Sequence, residues 1–323
     1  MNKRTNLILA VDHGNGDIKT VNTSFVAGLE VSNVPINSVN HKDIIQYNSK
    51  WYAIADNPKP YKRDKTNDES YFILTLFAIA KEIIYNMNNG ATIDTENISI
   101  KLPVGLPLSH YNTGKDDFKN YFIERFNGGV SFDYIYDTED GKQKVLPFNV
   151  ELDVCSVHAQ GYSGAMTTIF EKGKDNDYTL IDIGSFTVDV ADYEDGKVRE
   201  DNMRSFETGT IVMCDHIANK LSQSFGVSPS AYRASKIIKI LKGKKEDKYK
   251  EVIFDEAKKW ADSIINTVIQ SRFALETSIP VLLGGGSLLL RSLLEDNQYL
   301  ENAVFVGSVN ANARGYALYA SKL

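Results

Sequence analysis

The chain has 323 residues, 42% of them hydrophobic and 24% charged, with a formal net charge of -6. That length suggests about two domains of a soluble globular protein, and the acidic surface would repel a phosphate backbone, arguing against extensive direct nucleic-acid binding. The two cysteines, Cys155 and Cys214, form no CxxC pair; they exclude a disulfide scaffold or structural zinc site and suit a reducing cytoplasm.

Leu7 to Val11 is a continuous apolar run, the pattern of a strand buried on both faces. The turn formers Asp12 to Asp17 follow, and Ile18 to Val21 resumes the alternation, which predicts a hairpin. Short strands broken by Pro35, Pro58 and Pro60 are expected over 25–60. A helix is expected over Tyr71 to Met87, capped by Ser70 or Asp68 and stopped by Asn88-Asn89-Gly90. The apolar block Tyr71 to Ala80 is too short for a membrane span and reads as a buried helix.

Asn97 to Val104 predicts a strand, with a turn containing Pro103 and Pro107. Lys115 to Phe126 has helical spacing that places Phe118, Phe122 and Ile123 on one face. Val130 to Val154 reads as two or three strands around an Asp140-Gly141 turn. Tyr178 to Ile181 is a strand leading into Asp182-Ile183-Gly184-Ser185-Phe186-Thr187, and Val188 to Ala191 is the next. Helices are expected over 210–225 and 250–276, with a charged loop from Lys242 to Lys250 between them. Val281 to Leu283 is a strand entering Gly284-Gly285-Gly286; Ser287 is expected to cap the helix after it, and a last helix starts near Asn312.

One pattern occurs twice. A strand runs into Asp-x-Gly at Asp12/Gly14 and again at Asp182/Gly184, with a charged residue at the same later position, Lys19 or Asp189. Two copies of one unit suggest two related domains facing a shared cleft. Small-residue hairpins present backbone N–H groups to an anion. Asp12 and Asp182 could hold a hydrated Mg²⁺, which needs only one or two carboxylates. Lys19 supplies positive charge for phosphates. No GxxxxGK[ST] loop is present, so this is not a P-loop, and the three glycines 284–286 offer a side-chain-free surface for a base or ribose.

At these residues the sequence resembles the actin superfamily. Ala10 to Lys19 looks like its first phosphate motif, DxGxxxxK. Ile181 to Asp189 looks like its second, with Ser185 and Phe186 where the family usually carries glycines, and Leu282 to Ser287 is similar to its adenosine motif. Asn310 to Tyr316 resembles the second connecting motif of bacterial ParM-type proteins. Val157 to Ala165 resembles the first, which gives Gln160 the role of orienting the attacking water; Glu151 and Asp153 are its acidic rivals. His13 and His158 flank these loops and read as local hydrogen-bonding histidines.

The resemblance implies an actin-like (ribonuclease H-like) α/β fold of two related domains around a nucleotide cleft. The first domain is expected over 1–155, completed by a C-terminal helix at about 308–323, and the second over 156–307. It implies a cytoplasmic nucleoside triphosphatase for ATP or GTP with Mg²⁺. Asp12, Gln160 and Asp182 would be catalytic, with Asp12 and Asp182 toward the metal through water. Asp12, Gly14, Asn15, Gly16, Lys19, Gly184, Ser185, Phe186, Thr187, Gly284, Gly285, Gly286 and Ser287 would contact the nucleotide. It further implies helical self-assembly, plasmid DNA segregation through a ParR-type DNA-binding adaptor, and no membrane partner. The competing function is a small-molecule, sugar-type kinase on the same fold, although no clear base for a substrate hydroxyl is visible.

Overall fold

The computed structural model describes residues 4–37, 42–60, 65–138 and 141–322. The chain begins with β1 (Thr5–Ile8), β2 (Asp12–His13), β3 (Asp17–Lys19), β4 (Ser24–Val26), β5 (Leu29–Ser32), β6 (Asp43–Tyr47) and β7 (Lys50–Ile54). Next come α1 (Glu69–Asn88), β8 (Ile98–Leu106), α2 (Leu108–Arg125), β9 (Val130–Asp137), β10 (Gln143–Ala159) and α3 (Tyr162–Lys172). After them run β11 (Tyr178–Ile183), β12 (Val188–Glu194), β13 (Lys197–Phe206), α4 (Thr210–Phe225), α5 (Ala234–Leu241) and α6 (Lys250–Gln270). The chain closes with β14 (Ile279–Leu283), α7 (Gly284–Leu289), α8 (Arg291–Leu294), β15 (Val304–Phe305) and α9 (Ala311–Ala320).

These elements form two compact units, Met1–Gly164 with Asn312–Leu323, and Ala165–Ala311. In the first unit a seven-stranded sheet has the order β1-β8-β10-β9-β6-β7-β5, and β2-β3-β4 form a separate three-stranded sheet. The strands β1, β8 and β10 are mutually parallel. Because β10 stays paired with β8 as far as Ala159↔Leu106, the chain crosses to the second unit at 164/165, past the 155/156 position read from the sequence. It returns at 311/312 rather than 307/308.

Helix α1 is the core of this unit: every residue from Ser70 to Ala80 is buried. Asp68 caps it by accepting the Ser70 N–H at 2.9 Å, an interaction worth about 1 kcal/mol. By length and composition α1 could cross a membrane, but 72% of that window is buried inside the protein, the mark of a core helix. Phe118, Tyr121 and Phe122 of α2 join the same core. Ile123 does not. It is 42% exposed, because one step past Phe122 turns it about 100° around the helix.

Two other expectations need correction. Pro103 makes no turn; it lies within β8, opposite Ser156 of β10, and its carbonyl accepts the Val11 N–H at 2.9 Å. A parallel ladder tolerates the proline at the cost of one donor, and only Pro107 marks the strand-to-helix junction. Helix α6 ends at Gln270, six residues before the predicted 276, because Arg272 adopts φ 68° and breaks the helical backbone. Gly141 turns at φ 76° between β9 and β10, while Asp140 lies outside the described residues.

The second unit has a five-stranded sheet of order β13-β12-β11-β14-β15. All six residues of β11 are buried, as its apolar run requires for a strand covered on both faces. Cys214 belongs to this unit's core and Cys155 to the first unit's; burial pushes both thiols up to about 12, so neither is a ready nucleophile.

Candidate functional site

The seven-position offset in the repeated motif is a hairpin register. In the first unit Asp12 pairs across the hairpin with Lys19, and His13 with Ile18. In the second unit Asp182 pairs with Asp189, and Ile183 with Val188. Cross-strand partners share a face of the ribbon. Each hairpin therefore sets its motif Asp beside the later charged residue, which in the first copy is a cation and in the second another carboxylate.

The first hairpin rests on α1. His13 is fully buried, its Nε2 2.7 Å from Thr75 Oγ1, and Thr75 Oγ1 donates its own proton to the Tyr71 carbonyl at 2.7 Å. Thr75 must then accept, which assigns the imidazole proton to Nε2. Phe118 and Phe122 enclose the ring at centroid distances of 5.6 and 5.4 Å, and this burial holds the His13 pKa well below its usual range, with the Lys65 charge adding to the effect. Lys65 Nζ donates to the His13 carbonyl. Gly14 cannot be replaced without moving the turn, since a Cβ there would lie 2.6 Å from the Asp17 carbonyl oxygen. Asn15 is half-buried, and its Oδ1 has no hydrogen-bond partner among the described residues. Lys19 makes no ion pair among them.

Gln160 comes to this hairpin from the end of β10. Its Nε2 donates to Asp12 Oδ1 at 2.7 Å, and its backbone N–H donates to the Leu106 carbonyl at 2.8 Å. The side-chain carbonyl is an acceptor that this bond does not use. Gly161 N–H donates to Asn312 Oδ1 of α9 at 2.9 Å. Gly315 lets α9 approach the start of α3: a Cβ there would sit 2.0 Å from the Ser163 carbonyl oxygen. Asp12, Leu106 and Gln160 thus gather beyond the carboxyl ends of three parallel strands, where α/β sheets usually bind ligands.

The acidic rivals lie elsewhere. Glu151 is ion-paired with Arg4, and Asp153 is exposed at a register shift in β10, both roughly 20–25 Å back along the strand from its end. His158 stacks against Tyr316 and Tyr319 at 5.5 and 5.6 Å, bonds Ser156 Oγ at 2.9 Å, and is held neutral by burial, which lowers its pKa to about 4. It serves packing.

The second hairpin has a different support. The carbonyls of Gly184, Ser185 and Phe186 accept the N–H groups of Thr210, Ile211 and Gly209 at 3.1, 2.8 and 3.0 Å. No peptide here is cis, so each carbonyl points opposite to the N–H of its own peptide unit. With three successive carbonyls turned into the start of α4, the N–H groups of Ser185, Phe186 and Thr187 are turned away from it. The close approach is at Gly209, where a Cβ would lie 2.5 Å from the Phe186 carbonyl carbon. Nothing in the sequence singled out Gly209 or Thr75; each matters through a contact remote in the chain. Thr187 Oγ1 donates to Asp189 Oδ2 at 3.0 Å.

The glycine cluster is not a loop before a helix. Gly284 is the first residue of α7, and Ser287 lies inside that helix with its Oγ on the Gly284 carbonyl at 2.9 Å, so Ser287 is no cap. The glycines also differ in purpose. Gly284 has φ 87°, and a Cβ on it would fall 2.3 Å from Asp182 Oδ1; a Cβ on Gly286 would fall 2.3 Å from Ile183 Cγ2. Gly285 alone faces open space. Two of the three glycines let α7 pack on the Asp182 strand, and one is left to offer bare backbone.

Both motifs supply oxygen donors, carboxylates in particular, which suit a hard cation that keeps its waters. Among the described residues no group of three or more His, Cys, Asp or Glu could chelate an ion directly.

Residues 180–296 match the family model for the archaeal actin homologue MreB-like C-terminal domain. No curated protein matches the chain. Among solved structures, the archaeal actin homologue Ta0583 in complex with ADP is similar at a TM-score of 0.70 and 16% identity, over 98% of this chain and 100% of that one. A 15-stranded ParM filament from Clostridium botulinum gives 0.70 and 17%, covering 100% of both chains. Bacillus thuringiensis ParM with ATP gives 0.65 and 15%, over 96% of this chain and 97% of that one. The fold is actin-like, as the motifs implied.

Proposed function

We propose that this chain binds and hydrolyses a nucleoside triphosphate and assembles with copies of itself into filaments. The observation that carries the reading is the convergence of Asp12, Lys19 and Gln160, with Gln160 Nε2 2.7 Å from the Asp12 carboxylate. A cation, a carboxylate and an uncharged amide are what phosphoryl transfer to water asks for, because that reaction depends on positioning and charge compensation more than on a strong base. Lys19 would offset charge on the β- and γ-phosphates, and the N–H groups of Ser185, Phe186 and Thr187 would receive phosphate oxygens from the second motif. Asp12 and Asp182 are the carboxylates that would hold a hydrated Mg²⁺, which would supply neutralisation of phosphate charge. Gln160 would align the attacking water, and Gly285 would lie against the base or ribose.

Support for assembly comes from the fold shared with filament-forming proteins of low sequence identity. Head-to-tail contacts of one chain with itself give an open helix, and bound triphosphate would favour the arrangement that assembles. The biological role in this reading is movement of plasmid DNA in the cytoplasm through a ParR-type adaptor, which lets an acidic protein act on DNA without binding it extensively. The test combines light scattering and phosphate release at micromolar protein with Mg²⁺ and ATP or GTP. Both signals should rise with at least one nucleotide. Flat scattering with continuing phosphate release would remove the filament; no release and no nucleotide binding would remove the whole reading.

A further inference from the structure

Glu82 is a carboxylate in a helix otherwise built for the core: it is 4% exposed on α1 and has no ion-pair partner among the described residues. A charge so buried is tolerated only when hydrogen bonds replace its water. Here they come from one place. Thr20 Oγ1 and the Asn22 N–H donate to Oε2, the latter at 3.2 Å, and Asn22 Nδ2 donates to Oε1 at 2.5 Å. The turn closes on itself as well, with Thr20 N–H on the Thr23 carbonyl and Thr23 N–H on Thr20 Oγ1, both at 2.9 Å. This turn begins immediately after Lys19, the last residue of β3.

Strand alternation fixes which way each side chain faces. Ile18 and Thr20 are buried, whereas Lys19 between them is only half-buried on the Asp12 face. Glu82 therefore grips the back of the strand whose front carries the lysine. Thr75, under His13, and Glu82, under Thr20, stand two helical turns apart on one side of α1. They clamp the hairpin at both strands.

We propose that Glu82 is a positioning residue for the triphosphate site: by holding Thr20 and Asn22 it sets where the Lys19 ammonium lies, without touching the nucleotide. The inference rests on the nucleotide reading above. Glu82→Gln keeps the size of the side chain but removes the charge and turns an N–H₂ group toward one of three donors. Thr20→Val removes one donor and leaves the carboxylate bonded to Asn22, which serves where the Glu82 variant fails to fold.

The experiment measures binding of ATP and GTP with Mg²⁺ to the wild type, then of ATP with Mg²⁺ and of adenosine (GTP and guanosine where the wild type takes only GTP) to the wild type, Glu82→Gln, Thr20→Val, Lys19→Ala and the Lys19→Ala/Glu82→Gln double variant, each checked for a cooperative melt. Glu82→Gln should weaken ATP about tenfold while adenosine binding stays level, and Thr20→Val should do so less. Added to Lys19→Ala, Glu82→Gln should weaken ATP no further, because groups acting through one contact are not additive. Folded variants whose ATP and adenosine affinities keep the wild-type ratio, or additive losses in the double variant, would overturn the positioning role. Wild-type protein that binds neither GTP nor ATP would instead overturn the nucleotide reading.

Discussion

The two hairpins share a register and differ in almost everything that supports it. In the first, a lysine faces the motif Asp, and the ribbon is a separate small sheet resting on the side chains of a buried helix. In the second, a carboxylate faces the motif Asp, and the ribbon is continuous with the main sheet while its loop is tied by backbone to the start of α4. Side chains can be exchanged one at a time, whereas backbone contacts survive most substitutions. The comparison teaches that the two copies share one register while the polar group opposite the motif Asp differs, a lysine in one and a carboxylate in the other.

The strongest test of that comparison removes each motif Asp. Asp182→Ala should reduce Mg²⁺-dependent phosphate release about a thousandfold, and Asp12→Ala should do the same if the halves are equivalent. Normal turnover in either variant would break the equivalence. Gln160→Ala sharpens it at the first hairpin, whose Asp12 accepts the Gln160 amide: release should slow about a hundredfold while nucleotide-dependent scattering persists longer. Unchanged release would move the water-orienting role away from Gln160.

Smaller effects are expected on stability. Gly284→Ala should cost roughly 2 kcal/mol or more in denaturant melts, because its φ of 87° and the nearby Asp182 carboxylate both resist a side chain. Gly285→Ala should stay within about 0.5 kcal/mol, yet weaken nucleoside binding. Equal costs at the two positions would contradict their different surroundings.

A comparable effect on stability concerns pH. His13 and His158, both in the first unit, have pKa values below the usual 6.5, that of His158 falling to about 4. The unfolded chain takes up protons near 6.5 while the native one does not. Stability is therefore full above that value and declines as pH falls toward 4, each imidazole contributing on the order of 1–2 kcal/mol between pH 7 and 5. Hydrogen exchange should show the first unit opening before the second over that range. A flat response would mean that neither imidazole is held neutral.

The sequence by itself determined the two hairpins, the buried helix α1, the strand β14 and the identity of the loops that carry charge, because strand period, turn formers and motif spacing are local properties of the chain. Asp12 was readable on those grounds, and Gln160 only through the resemblance of Val157 to Ala165 to a family motif. Their contact was not, since it spans most of the first unit and depends on β8 and β10 lying parallel. The same limit hid the grip of Glu82 on Thr20, the docking of Gly209 on Phe186, the course of β8 through Pro103 and the start of α7 at Gly284. Each depends on what packs against the residue, and only the tertiary structure decides which neighbour satisfies a buried polar group or fills the space beside a missing Cβ.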